Sequence, residues 1–284
     1  MKISDLKKEI LKRLEDAGIQ DAETEARMIV TEYAGVTLSE MFTDPDRELA
    51  DDMVLCAEDV VSRRITGIPL QHIMGKTGFM GFDFRVSPAA LVPRPDTEIL
   101  TEEVLKDYHD GSRILDLCTG SGCIIVSLLA LMNDCYGVGT DISEDALALA
   151  AENADMILAD KRERLEFRKG DLYDALSQDD VFDVIVSNPP YIRTADIETL
   201  STEVRDHDPR IALDGGEDGL DFYRRIITGA AEHLQKGGDL LLEIGYDQAE
   251  DVTKIMEANG FIEVQTVKDF GGNDRVVRGI LSAL

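Results

Sequence analysis

Asn188-Pro189-Pro190-Tyr191 combines residue types suited to a planar group that carries –NH2, such as an amide or the exocyclic amine of a base. Two consecutive prolines fix φ and remove two backbone donors, so the turn displays carbonyl oxygens. The Asn188 side chain adds an accepting oxygen and a donating amide, and Tyr191 adds a flat ring for stacking. The preceding run, Phe182-Asp183-Val184-Ile185-Val186-Ser187, reads as a buried strand. The four residues therefore stand at the carboxyl end of a strand, where open α/β sheets bind ligands. An ordinary proline turn after a strand would use the same residues, and the choice between the two rests on the rest of the chain.

A second constellation is Asp116-Leu117-Cys118-Thr119-Gly120-Ser121-Gly122, which joins an apolar strand to a helix. Small residues let the backbone pass close to a ligand, and the helix N-terminus offers free N–H groups. A dinucleotide turn would carry a third glycine three residues after Gly122, where this chain has Ile125. No Gly-Lys-Ser/Thr follows, which excludes a P-loop. Asp141 ends the next strand, roughly 20 residues after the glycines, where a carboxylate binds ribose hydroxyls. Gly170-Asp171-Leu172 ends the third strand, where a carboxylate and a backbone N–H can read an adenine edge. The set Cys118, Thr119, Gly120, Ser121, Gly122, Asp141, Asp171 and Leu172 suits an adenosine ligand without phosphates. S-adenosyl-L-methionine is such a ligand, and its sulfonium and ammonium groups favour acidic surroundings. Asp141 and Asp171 as simple caps of the helices after them is the competing reading.

Repeating units must position these residues. Helical patterns cover Pro95 to about Lys106, Cys123–Leu131, Glu144 to about Ile157, Leu220–Leu234 and a stretch ending at Ala258. Between them lie strands at Ile114–Leu117, Tyr136–Thr140, Leu165–Arg168, Phe182–Ser187 and Leu240–Ile244, with two more at Ile262–Val267 and Arg275–Leu281. A polar insertion follows Asn188, from Arg193 to about Glu217. Alternating strands and helices imply an α/β fold, a doubly wound, mostly parallel sheet with helices on both faces.

The N-terminal part has another texture. Ile3, Leu6, Ile10, Leu11 and Leu14 repeat at helical spacing up to Gly18, and Asp21 can cap a second helix. Pro45 and Asp46 are expected to open a third, longer helix carrying Leu49, Met53, Val54, Ala57, Val60 and Val61. The glycine-punctuated stretch with Phe82, Phe84 and Val86 reads as a hairpin-like connector. The expected division is a helical bundle over 1–72, a connector over 73–92 and the catalytic domain over 93–284.

The chain has 284 residues, is 44% hydrophobic and carries a formal charge of −28. That charge argues against a general nucleic-acid binder, because such affinity rests on neutralising phosphates. It fits a very soluble protein, or one whose partner is another protein. No apolar run approaches the ~20 residues of a membrane span, and the amphipathic start is not a signal peptide. Cys56, Cys118, Cys123 and Cys135 show neither a disulfide framework nor a zinc site, so reduced thiols and a cytoplasmic location are expected.

With these residues in view, the chain resembles class I S-adenosylmethionine-dependent methyltransferases. More closely, it resembles the HemK family of protein-(glutamine-N5) methyltransferases, which modify the glutamine of the Gly-Gly-Gln motif in peptide-chain release factors. The segments that carry the likeness, beside Asn188–Tyr191, are Val92–Glu98, Ala212–Tyr223, Leu242–Tyr246 and Gly271–Arg275. The chain departs at Cys118, where the family's turn more often has Gly; a small residue is tolerated there if φ stays negative. The resemblance implies that the Asn188 oxygen and the Pro189 carbonyl accept the two substrate N–H bonds and that Tyr191 packs on the amide plane. It further implies that Asn188 touches the cofactor and that the helical bundle docks the release factor. Either Arg94 and Glu98 border the methionine end of the cofactor, or Asp96, Thr97 and Glu98 cap the helix. Methylation of a ribosomal-protein glutamine, or of an exocyclic amine in nucleic acid, is the alternative activity.

Overall fold

A computed structural model of the chain describes residues 1–282. It divides into two units, Met1–Met74 and Gly75–Leu284. In the first, the helical spacing of Ile3, Leu6, Ile10 and Leu14 buries one face of α1 (Ile3–Asp16). That face meets Ala26, Ile29 and Val30 of α2 (Ala22–Tyr33) and Val54, Ala57, Val60 and Val61 of α4 (Asp51–Arg64) in one core. Arg64 is 2% exposed and holds Glu25 with two bonds, Nε–Oε2 at 2.7 Å and Nη2–Oε1 at 3.0 Å. The short helices α3 (Leu38–Thr43) and α5 (Leu70–Met74) complete the unit.

Two expectations change here. The helix expected from Pro45 starts at Asp51, because the backbone before it is engaged elsewhere: Ser4 N–H donates to Pro45 O and Leu49 N–H to Met1 O. The unexpected helix α3 is opened by a capping box, Thr37 with Glu40, whose Thr-x-x-Glu spacing is visible in the sequence. Asp21 stands at the N-cap of α2 without a side-chain capping bond.

The second unit begins with a hairpin, β1 (Lys76–Phe79) and β2 (Phe82–Arg85), antiparallel to each other. Its Phe79 and Phe84 meet edge to face, 6.0 Å between centroids, and are buried with Ile99, Leu100 and Val104 of α6 (Pro95–Asp107). The segment expected as a connector therefore packs into this unit's core.

The main sheet has seven strands: β3 (Arg113–Leu117), β4 (Tyr136–Asp141), β5 (Leu165–Lys169), β6 (Phe182–Ser187), β7 (Leu234–Glu243), β8 (Phe261–Lys268) and β9 (Asp274–Leu281). Their order is β5-β4-β3-β6-β7-β9-β8, and β9 alone runs against the rest. Alternation along β3 and β6 divides the core. Ile114, Val184 and Val186 pack with α7 (Cys123–Leu131) and α8 (Glu144–Ile157), whereas Leu115, Leu117 and Ile185 pack on the face of α10 (Asp221–His233) and α11 (Ala249–Ala258). The insertion between β6 and α10 holds α9 (Thr202–His207) and short turns of 3-10 helix. Strand order reverses between β3 and β6, so the turn after β3 and the residues after β6 share one edge of the sheet, the crevice where such folds bind ligands. No described helix is long and apolar enough to cross a membrane.

Candidate active site

The turn after β3 is held by its own polar residues. Asp116 is fully buried, and its Oδ2 accepts the Thr119 hydroxyl at 2.6 Å. Burial pushes its carboxyl up to about 7, against the pull of that bond. Gly120 and Gly122 take φ of +54° and +78°, and a Cβ at Gly122 would lie 3.1 Å from the Ala150 Cβ, so glycine there serves both the turn and the close approach of α8.

Cys118 has φ of +58°. The expectation that a small side chain fits there at negative φ is thus overturned: the turn needs the left-handed conformation, which explains a preference for Gly, and Cys118 carries strain of roughly 1–2 kcal/mol.

Asp141 ends β4 with both oxygens facing backbone donors. Oδ2 accepts Gly120 N–H and Oδ1 accepts Ser143 N–H, each at 2.9 Å. Burial raises its pKa, against those two bonds. Capping of α8 falls instead to Ser143, whose hydroxyl accepts Ala146 N–H. Asp171 makes no side-chain cap either; it pairs with Arg225 at 2.8 Å. Leu172 is buried with φ of +54°, which turns the backbone sharply after β5.

Asn188 follows β6 directly and donates its Nδ2 to the Thr97 hydroxyl at 3.2 Å. A cleft opens here, lined by Cys118, Thr119, Gly120, Ser121, Asp141, Asp171, Leu172, Asn188 and Pro190. The glycine turn and the end of β6 thus face one space. Gly122, Pro189 and Tyr191 stand outside that lining; the Tyr191 hydroxyl points to Glu243 Oε1 at 3.4 Å instead. No histidine lines the cleft, and His233 is structural, stacked on Tyr173 with Nδ1 against Asp180 O.

Sequence reasoning missed part of the wall. Leu91, Ile142, Ile211 and Phe222 supply apolar surface, and Thr140, also lining the cleft, has a buried hydroxyl without a protein partner. Leu91, Ile142 and Ile211 lie in connections or a short 3-10 turn and carry no periodic signal, and Phe222, in the first turn of α10, lay inside a quoted segment without a role. Arg94 and Glu98 make different contacts. Arg94 lines the cleft and bridges to Asp208 of the insertion at 2.8 Å, whereas Glu98 accepts Met80 N–H at the hairpin turn, and α6 has no side-chain cap.

Behind Asn188 lies a buried polar cluster. Glu243, at the end of β7, is 2% exposed, and burial pushes its carboxyl up to about 7, opposed by the Thr97 hydroxyl and the Arg275 guanidinium. Arg275 binds Asp96 and Asp269, both at 3.1 Å. Residues from α6, β6, β7 and β9, distant in sequence, converge on this point.

Comparison with known proteins agrees with this geometry. Residues 5–75 match the PrmC N-terminal domain, and residues 95–204 match the methyltransferase small domain. The chain is 43% identical over 274 residues to the release factor glutamine methyltransferase of Caulobacter vibrioides, covering 96% of this chain and 94% of that one. It is 41% identical over 266 residues to the release factor glutamine methyltransferase of Geobacter sulfurreducens, covering 94% and 92%. A solved methyltransferase from Pyrococcus furiosus shares the fold, with a TM-score of 0.56 at 19% identity over 78% of this chain and 99% of that one. By fold and by identity along nearly its whole length, the chain belongs to the release factor glutamine methyltransferase family.

Proposed function

We propose that this protein transfers a methyl group from S-adenosyl-L-methionine to the side-chain amide nitrogen of the glutamine in the Gly-Gly-Gln motif of a peptide-chain release factor. The observation that carries the reading is the single cleft shared by the glycine turn and Asn188. The cleft residues fit the methyl donor. Asp141 keeps lone pairs free for ribose hydroxyls beyond its two backbone bonds, Leu172 and Ile142 offer apolar surface to a base, and two carboxylates suit a cation. S-adenosyl-L-methionine, when bound, supplies an electrophilic methyl group on its sulfonium.

A carboxamide nitrogen is a weak nucleophile, because its lone pair is delocalised into the carbonyl. The protein's task is to orient it. The Asn188 oxygen and the Pro189 carbonyl would accept the two N–H bonds of the glutamine, and such positioning contributes up to ~7–11 kcal/mol. Tyr191, expected to pack on the amide plane, stands one layer back with its hydroxyl on Glu243, and its role is to fix the turn. No strong base is required, since the methylated amide nitrogen is acidic enough to release its proton to water. The helical unit would dock the release factor, and a charge of −28 favours a protein partner over nucleic acid. That partner places the reaction in the cytoplasm.

Incubation with S-adenosyl-L-methionine and intact release factor, followed by mass spectrometry of the Gly-Gly-Gln peptide, tests the proposal. One added methyl on the glutamine is expected. An unmodified peptide beside a methylated ribosomal protein or nucleic acid would refute it.

A further inference from the structure

We propose that Thr97 and Glu243 are positioning residues for methyl transfer, Thr97 holding Asn188 and Glu243 holding Tyr191, so that the Asn188 oxygen is the atom turned to the substrate. The inference rests on Asn188 receiving the substrate amide. Strands β6 and β7 pair in parallel with Ser187 opposite Leu242, so the next residues along each, Asn188 and Glu243, emerge side by side. Glu243 and Thr97 are each 2% exposed, which shields their contacts from water. The Tyr191 hydroxyl donates to Glu243 Oε1, and Asn188 Nδ2 donates to Thr97 Oγ1.

The polarity of this chain matters more than its strength. An amide can present either its oxygen or its nitrogen to a neighbour, and a hydroxyl can accept or donate. Thr97 Oγ1 accepts the Asn188 NH2. The Asn188 oxygen then remains for the substrate N–H. Glu243 Oε2 has no hydrogen-bond partner among protein atoms. A buried carboxyl so poorly compensated adds little to stability, and an apolar residue of similar size would serve folding equally well. Orientation of Tyr191 accounts for a carboxyl at this position.

The test compares Glu243→Leu, Glu243→Gln and Thr97→Val, with Asn188→Ala as the reference, using the full chain and intact release factor. Glu243→Leu and Thr97→Val should lower kcat about tenfold or more, since each ~1.36 kcal/mol is tenfold. KM for the release factor should stay within about twofold, because both side chains act through Asn188 and Tyr191, and the affinity for S-adenosyl-L-methionine is measured in parallel because Thr97 also lines the cleft. Glu243→Gln keeps an acceptor for the Tyr191 hydroxyl and should recover kcat to within about threefold of the parent. Should Glu243→Leu fail to fold, Thr97→Val and Glu243→Gln decide. Parental kcat in Thr97→Val, or a Glu243→Gln variant that folds and is as slow as Asn188→Ala, overturns the inference. If Asn188→Ala is slow while Thr97→Val is not, this inference alone is wrong; if Asn188→Ala itself runs at the parental rate, the reading of the site falls with it.

Discussion

Asn188 Nδ2 donates to the Thr97 hydroxyl at 3.2 Å, a bond that ties the end of β6 to the first turn of α6 across 91 positions of sequence. It explains why the segment Val92–Glu98 lies beside the acceptor site. The segment sets the direction of the asparagine amide in addition to starting a helix, and Arg94, two residues beyond Val92, joins the same wall to the insertion through Asp208.

Loss of the Asp141 carboxylate should weaken cofactor binding. A hydrogen bond to a charged group contributes ~1.5–3 kcal/mol, so Asp141→Ala should raise the dissociation constant about ten- to a hundredfold. The same change also releases Gly120 N–H, which holds the turn, and that places the expected value toward the upper end. Calorimetry returning equal affinities for variant and parent would remove Asp141 from the cofactor site.

Strain at Cys118 predicts opposite responses to two substitutions. Cys118→Gly relieves a left-handed φ at an L-residue, and after the entropy lost to glycine it should leave stability unchanged or raise it by up to ~1 kcal/mol. Cys118→Val places a β-branched side chain in the same conformation and should lower stability and cofactor affinity together. Thermal unfolding in which the two variants shift alike would contradict the assignment of strain.

The boundary at Met74 and Gly75 sets a truncation test of docking. A chain beginning at Gly75 keeps the whole hairpin, including the bond from Val86 N–H to Gly75 O. It should bind S-adenosyl-L-methionine with near-parental affinity while losing most activity on intact release factor. Full activity on the protein substrate would assign the helical unit another task.

Glu243 also predicts a pH dependence of stability. Below pH about 4.5 its carboxyl is protonated in both the folded and unfolded chain, and its contribution is constant. Between about 4.5 and 7 the folded state keeps the proton while the unfolded chain releases it, so stability falls as pH rises through that window. Glu243→Gln removes this loss. Relative to the parent, the variant should gain on the order of 2–3 kcal/mol between about pH 4 and pH 8. Asp116, raised in the same direction, is present in both chains and cancels from the difference. A gap between variant and parent that does not change with pH would show that burial does not raise the Glu243 carboxyl.

Much of this architecture was legible in the sequence, because periodicity reports burial. The bounds expected for Cys123–Leu131, Glu144–Ile157 and Phe182–Ser187 match α7, α8 and β6, where apolar patterns are unbroken. The first turn of β7 was missed because Gln235-Lys236-Gly237-Gly238 interrupts its apolar run, and its pairing with β6 is irregular there. The start of α4 was misplaced because Pro45 bonds to α1, a tertiary effect that no local signal reports. At the site, residues that stand at strand ends were found from type and position. Glu243 lay inside a quoted segment without a role, because its meaning comes from Thr97 and Tyr191, which only the folded sheet brings beside it.

The central claim is that Asn188 holds the substrate amide, and a single-turnover rate of methyl transfer by Asn188→Ala, with cofactor affinity measured in parallel, tests it most directly. Removing the oxygen leaves a substrate N–H unsatisfied at a cost of ~1–3 kcal/mol, so the rate should fall by roughly one to two orders of magnitude. Cofactor affinity should change much less, and Asn188→Asp, which keeps an acceptor, should retain more activity than Ala. Methylation of the glutamine at the parental rate by both variants would contradict the account.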